Sequence, residues 1–348
     1  MTFQYVVHTI KGFGDIAKAE ILLKIPEAFI ISSKAKAIVF EATTMPGQLP
    51  ALRTVDDVGL LVVLDQPVSD LQSPTFMTKD IIGKIQSARD LLSKTRKLST
   101  TFSVTISRYK SAVNTEALTT SLSKQLSEAL HMDFTPRSHE NFDIRLDLEL
   151  ETYSLSIRVG TKPSFHRAYK ISSQPGALKP SVGASIVCAA LGTATGLKIV
   201  DNLCGSGTIL CEAALMNNIP YGGDISDSSV NIARKNLSSI YRNLDATIKQ
   251  LDATSSPWKT AEFDGALSNV PWDIQIPTTS IMTLYDRVIK EYGRIVKPNG
   301  TIAILSKKPD FITKLLKKYV SPISLREYPL SFLGQNPTLV VANSRLPL

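Results

Sequence analysis

Residues 198–226, KIVDNLCGSGTILCEAALMNNIPYGGDIS, decide the reading of this chain. Ile199, Val200 and Leu203 flank the acid Asp201. A turn of small residues, Cys204, Gly205, Ser206 and Gly207, then leads into an Ala- and Leu-rich run over 208–216 with helical character. The order predicts strand, tight loop, helix. A second short apolar stretch, 221–225, carries Asp224 about twenty residues beyond the glycines, the spacing at which an acid meets ribose hydroxyls in nucleotide-binding α/β folds. Glycines let the backbone approach a ligand and point amides at it. A dinucleotide pyrophosphate would want a third glycine three residues on, and Leu210 stands there instead. The residues alone leave open a nucleotide-like cofactor or a plain strand-to-helix turn.

The α/β alternation continues on both sides. Pro180 opens a helix expected to run to about residue 195. Downstream, the pattern predicts a helix over 226–240 capped by serine or aspartate, a strand over 247–251 ending at Asp252, and a strand over 263–268 running into Asn269-Val270-Pro271-Trp272. A helix over 281–296, a strand over 301–306, a basic helix over 311–319 and two closing strands, 323–329 and 338–343, complete it. Seven strands, with helices between the first five, imply a Rossmann-like, doubly wound α/β sheet. Ligands in such sheets lie at the carboxyl ends of the strands, which puts Asp201, Asp224, Asp252 and Asn269 on one rim.

The N-terminal half reads differently. Residues 3–9 alternate as a strand, Gly12 and Gly14 mark a turn, 15–23 is helical with an aspartate cap, and 37–41 is a strand. Pro46, Gly47 and Pro50 break the chain before an expected helix and the β-prone run 60–64, so 1–67 reads as a small α+β unit. A second unit, 68–160, has an amphipathic helix over 77–93, a strand over 101–107, a helix over 114–130 and a hairpin of 143–150 with 153–159. Residues 161–179 are polar and short of helix signals. They read as a linker ahead of 180–348.

Hydrophobic content of 43% and charged content of 20% over 348 residues are those of a globular protein with two or three domains. No stretch reaches membrane-spanning length and no N-terminal apolar leader is visible, so a cytoplasmic location without membrane is expected. Cys188, Cys204 and Cys211 are too few and too badly spaced for a disulfide framework or a zinc site, and no metal is expected. The net charge of +8 is unevenly placed: residues 1–160 carry 18 bases and 18 acids, and the remainder 21 and 13. Within the neutral half, Lys79, Lys84, Arg89, Lys94, Arg96, Lys97, Arg108 and Lys110 face only Asp80 and Asp90. Such a cluster suits a polyanion, and equally a solvated lysine face.

Together, Asp201 to Thr208, Glu212 and Asp224 resemble the DPxCGSGT signature of S-adenosylmethionine-dependent methyltransferases that modify nucleic acids. The resemblance implies a class I methyltransferase domain in which Asp201, Cys204, Gly205, Ser206, Gly207, Thr208, Asp224, Ile225, Asp252, Ala253 and Asn269 surround S-adenosylmethionine. Asn269-Val270-Pro271-Trp272 resembles the [N/D/S]-x-P-[Y/F/W] motif that holds an exocyclic base amine. An sp² amine has its lone pair tied up in the ring and must be positioned before it attacks a methyl sulfonium. The Asn269 carbonyl and the backbone carbonyl at Pro271 can accept its two protons, and Trp272 can stack on a flipped base. Val270 and Asp273 depart from the commonest form of the motif. They stand nearer to the N-L-P-Y type of guanine-N2 enzymes than to adenine-N6 enzymes, and they keep a non-catalytic RNA-binding protein in view.

The first 160 residues resemble a ferredoxin-like domain, with YVVHTIKG (5–12) as its first strand and turn, followed by a THUMP domain carried by FSVTISR (102–108) and IRLDLELETYSLSIRVG (144–160). Residues 161–179 resemble the segment that precedes the glycine loop in this family and closes over the methionine end of the cofactor, with His166, Arg167 and Tyr169 placed for RNA or cofactor. The whole then implies a tRNA methyltransferase acting on guanosine N2. The alternatives are ribosomal RNA guanine or adenine N6.

Overall fold

The computed structural model describes residues 1–348 except 74–75, 110, 137–141, 243–246, 273–277, 333 and 344–348, with no side-chain description at 72 and 278–280. The chain divides into an N-terminal unit, Met1–Thr9 with Lys18–Ser164, and a C-terminal unit, Ile10–Ala17 with Phe165–Leu348.

The N-terminal unit contains strands β1 (Phe3–His8), β2 (Phe29–Ser33), β3 (Ala37–Ala42), β4 (Asp57–Pro67), β5 (Thr101–Arg108), β6 (Asp133–Phe134), β7 (Phe142–Leu148) and β8 (Thr152–Arg158). They form one sheet in the order β2-β3-β1-β4-β8-β7-β5-β6. Segments 1–67 and 68–160 therefore share a sheet, joined where β4 pairs antiparallel with β8. Helices α1 (Gly14–Lys24), α2 (Lys79–Ser93) and α3 (Thr115–Leu130) come from the runs read as helical. The last two bury stripes at helical spacing, Ile81, Ile85, Ala88 and Leu92 on α2 and Leu118, Leu122, Leu126 and Leu130 on α3. Thr78 caps α2 through Ile81 N–H, and Asn114 caps α3 through Glu116 and Ala117 N–H.

One expectation fails here, and one strand was not expected. The run after Pro50 forms no helix: β4 begins at Asp57 and leaves too few residues for one, and the backbone N–H groups of Arg53 and Thr54 are taken by the buried Glu20 carboxylate. Residues 29–33, passed over in the sequence, form the edge strand β2.

The C-terminal unit contains α4 (Pro180–Leu191), β9 (Lys198–Asp201), α5 (Thr208–Leu215), β10 (Ile219–Asp224), α6 (Asp227–Leu237), β11 (Ile248–Gln250), β12 (Phe263–Asn269), α7 (Thr278–Ile295), β13 (Val296–Ser306), α8 (Pro309–Tyr319), β14 (Ser324–Pro329) and β15 (Thr338–Asn343). The sheet order is β11-β10-β9-β12-β13-β15-β14. Its first five strands are parallel, and β15 runs antiparallel to both neighbours. This is the Rossmann-like methyltransferase sheet. Contrary to expectation, no helix stands between β11 and β12, where Ser255-Ser256-Pro257 interrupts the chain.

Strands β9, β10 and β11 progress in one direction and β12 is added on the other side of β9, so the strand order reverses between β9 and β12. That reversal opens a crevice at the strands' carboxyl ends. Helix α7 packs against this sheet with Ile281, Tyr285, Val288, Ile289, Tyr292 and Ile295 in one buried stripe, part of a core that includes Val200, Phe263 and Ile304. Burying a side chain of this size contributes about 1.5–3 kcal/mol, so the stripe fixes the helix firmly against the sheet.

Candidate active site at the strand reversal

The glycine turn has the backbone its sequence implied. Gly205 has φ +51° and Gly207 φ +77°, values that L side chains rarely adopt, and a Cβ on Gly207 would come within 3.1 Å of Ala233. Gly207 precedes α5, whose first residue, Thr208, is buried beside Ser206. Asp224, at the end of β10, binds the turn directly: Oδ2 accepts Gly205 N–H at 3.0 Å and Oδ1 accepts Ser226 N–H at 3.0 Å. Each oxygen keeps a lone pair for a ligand hydroxyl. Ile225 beside it is 71% exposed, an apolar surface fit to be covered by a flat ring. Asp252 is exposed, its Oδ1 held by the N–H and hydroxyl of Thr254 at 2.8 Å each, and Ala253 is buried. The expected cofactor residues are thus brought to one rim.

Asp201 sits deeper. Its Oδ1 accepts Leu203 N–H at 3.0 Å and the Ser268 hydroxyl. Burial pushes its carboxyl up to about 7, against the hydrogen bonds from Ser268 and Leu203. Burial, with the nearby Asp201 and Asp224, likewise raises the Cys204 thiol well above its ordinary range, and its side chain packs in a core with Leu210, Cys211 and Val230.

Residues 165–179, expected as part of a linker, are tied to this loop. Glu212 on α5 is fully buried, and its Oε1 accepts the Tyr169 hydroxyl at 2.8 Å and lies 3.3 Å from Arg167 Nε. Asn236 donates to the carbonyls of Ser172 and Ser206, both at 2.9 Å, and accepts Ser172 N–H. The Gln174 side chain receives the Ser229 hydroxyl and stands against Gly205. Arg167, expected on RNA, is instead turned inward to Glu212, because a fully buried carboxylate needs a cation.

The second motif ends β12. Asn269 Oδ1 is a buried acceptor without a partner among the described residues, an unmet hydrogen bond of the kind a bound amine would satisfy. The Pro271 carbonyl already accepts the Tyr285 hydroxyl at 2.5 Å. Trp272 packs edge-on against Phe332 at 6.3 Å, and Lys307 Nζ stands 5.4 Å from its ring centre, so part of its surface is committed inside the protein. Asp273 lies outside the described residues. Tyr285, Tyr292 and Ser268 were not found in the sequence. Their only signal is two tyrosines seven residues apart in an apolar helical stripe, which reads as core.

Of the basic segment, Lys79, Lys84, Lys94, Lys97 and Arg108 are exposed, Arg89 is half-buried, and Lys110 lies outside the described residues. Arg96 is drawn in: it donates to the Arg158 carbonyl at 3.2 Å, and burial together with the Arg158 charge lowers its pKa. Among the described residues no helix is long and apolar enough to cross a membrane.

Comparison with known proteins finds similarity to methyltransferases. Residues 167–332 match the family model of the RMKL-like methyltransferase domain, UPF0020. The chain is 24% identical over 201 residues to the tRNA (guanine(6)-N2)-methyltransferase of Thermus thermophilus, covering 56% of this chain and 59% of that protein. It is 29% identical over 112 residues to the U6 snRNA (guanine-N(2))-methyltransferase THUMPD2 of Bos taurus, covering 32% of this chain and 22% of that protein. The matches thus span less than two thirds of these relatives' lengths. In three dimensions the chain resembles TrmN from Thermus thermophilus, with a TM-score of 0.73, 19% identity and 99% of each chain covered, a likeness of fold. S-adenosylmethionine is the cofactor this domain takes, and the left-handed glycines, the Asp224 carboxylate and the exposed Ile225 fit it.

Proposed function

We propose that this protein is an S-adenosylmethionine-dependent RNA methyltransferase that modifies the N2 amine of a guanosine in tRNA. The observation that carries the reading is Asn269: a buried carbonyl oxygen without a partner among the described residues, at the end of the strand that adjoins the cofactor-loop strand across the reversal. When bound, S-adenosylmethionine supplies an activated methyl group on a sulfonium. Asp224 receives the ribose hydroxyls, Ile225 and Ala253 cover the adenine, and Asp252 accepts the adenine amine. Asn269 Oδ1 and the remaining lone pair of the Pro271 carbonyl take the two protons of the guanine amine and aim its nitrogen at the methyl. Trp272 supplies a face for the flipped base. No side chain need remove the proton before attack, because a positioned amine can lose it late. The guanine assignment is supported by the names of both curated relatives and by the single proline of the motif.

The exposed bases over 79–108 are the proposed grip on tRNA phosphates, within the domain division 1–67, 68–160, 161–179 and 180–348. The reading is tested by methyl incorporation into unmodified tRNA at saturating cofactor, followed by nucleoside digestion. N2-methylguanosine is the expected product, and N6-methyladenosine would overturn the guanine assignment. Asn269→Ala should lower turnover with cofactor affinity retained. Asp224→Ala should weaken cofactor binding by about 1.5–3 kcal/mol in calorimetry, and unchanged binding would remove Asp224 from the site.

A further inference from the structure

Helix α7 begins after the acceptor motif, and it sends one hydroxyl to that motif and another to the ends of β9 and β12, at Asn202 and Ser268. Tyr285 and Tyr292 are seven residues apart, hence on one face and about 10 Å apart along the axis. Both are buried in the core that joins α7 to the sheet. The Tyr285 hydroxyl donates to the Pro271 carbonyl at 2.5 Å. The Tyr292 hydroxyl accepts Asn202 N–H at 3.1 Å and shares a hydrogen bond with Ser268 Oγ, which in turn donates to Asp201 Oδ1. A phenol serving only to fill the core would gain nothing from its oxygen. A buried hydroxyl that meets backbone at a motif fixes that backbone.

We propose that Tyr285 and Tyr292 are positioning residues that set the acceptor motif against the cofactor loop, with helix α7 as the spacer between them. Tyr285 orients the Pro271 carbonyl, so that the lone pair left for the incoming amine points in one direction. Tyr292 holds Asn202 and Ser268, and through Ser268 the carboxylate of Asp201 at the foot of the glycine turn. Neither touches substrate or cofactor. The inference rests on the methyltransferase reading for its kinetic consequence and on geometry alone for its structural one.

The test uses the full chain with Tyr285→Phe and Tyr292→Phe, each removing one oxygen. In the methylation assay Tyr285→Phe should lower kcat at least tenfold while S-adenosylmethionine affinity by calorimetry stays within twofold. Tyr292→Phe should weaken that affinity at least fivefold. A merely structural role would lower the melting temperature of both variants and leave kcat and affinity together. That outcome overturns the proposal. A second readout needs no activity: the chain has two tryptophans, Trp258 and Trp272, hence two indole N–H resonances, with Trp272 assigned by its loss in Trp272→Phe. Tyr285→Phe should shift or broaden the Trp272 resonance, and an unmoved resonance overturns the role of Tyr285. If wild-type protein proves inactive on RNA but the resonance moves and cofactor affinity falls as stated, the positioning stands and only the substrate reading fails.

Discussion

In the N-terminal unit the buried and half-buried acids meet bases: Arg158 lies 2.7 Å from the buried Asp57 and 2.8 Å from the buried Asp143, and the half-buried Asp147 lies 2.7 Å from His8 and 3.0 Å from Arg145. In the C-terminal unit Glu212 follows the same pattern with Arg167, but Asp201 has only a hydroxyl and a backbone N–H on Oδ1 and no base among the described residues. The consequences run in opposite directions. Burial alone would raise Asp147, yet His8 and Arg145 outweigh it and bring its pKa down to about 2, whereas burial raises Asp201 to about 7. Paired acids hold a sheet together, and an unpaired buried acid marks a place where the fold keeps polarity for a ligand.

The largest effect expected from this contrast is at Arg158. Replacing it by Met leaves Asp57 and Asp143 buried without a cation, which should cost about 3–5 kcal/mol at neutral pH in urea unfolding of the N-terminal unit. Adding Asp57→Asn and Asp143→Asn should recover part of that loss. A single-variant loss under about 1 kcal/mol would break the comparison.

Asp201 should show the opposite sign. Its folded-state pKa is raised, so the stability it contributes is complete below the ordinary carboxylate range and disappears as pH climbs from about 4 to about 7, on the order of 4 kcal/mol at most. Stability measured across that window should therefore fall in wild type relative to Asp201→Asn, and parallel curves would show that Asp201 is not held neutral.

For Asp147 the folded pKa is lowered, so its contribution is present above about 4 and lost as pH drops towards 2. Asp147→Asn should remove about 2 kcal/mol at pH 6 and flatten the acid limb of the same unfolding series. An acid limb as steep as in wild type would place the sensitivity elsewhere.

The smallest effect belongs to the exposed helix surface. Lys84 pairs with Asp80 at 2.8 Å, with side chains 51% and 72% exposed, so Lys84→Ala should change stability by less than about 0.5 kcal/mol. If the segment grips phosphates, the same variant should nonetheless reduce the slope of log affinity against log salt by about one in tRNA binding. An unaltered slope would remove Lys84 from that surface.

Legible in the sequence alone are the alternation that builds the C-terminal sheet, the glycine turn, the acids on its rim and the Asn269 motif. These depend on local rules: a 3.6- or 2-residue period, a left-handed glycine, an acid at a strand end. The sequence was silent on β2, misplaced a helix after Pro50, and suggested one between β11 and β12 that is absent. In the second case residues 53 and 54 are held by Glu20, more than thirty residues away. Only the tertiary structure turned Arg167 and Arg96 inward, joined 1–67 and 68–160 in one sheet, and brought Tyr285 and Tyr292 to the two motifs. Those outcomes depend on which buried polar group finds which partner. Sequence spacing does not encode that choice, because the cost of an unsatisfied buried charge or hydrogen bond appears only once distant segments have packed.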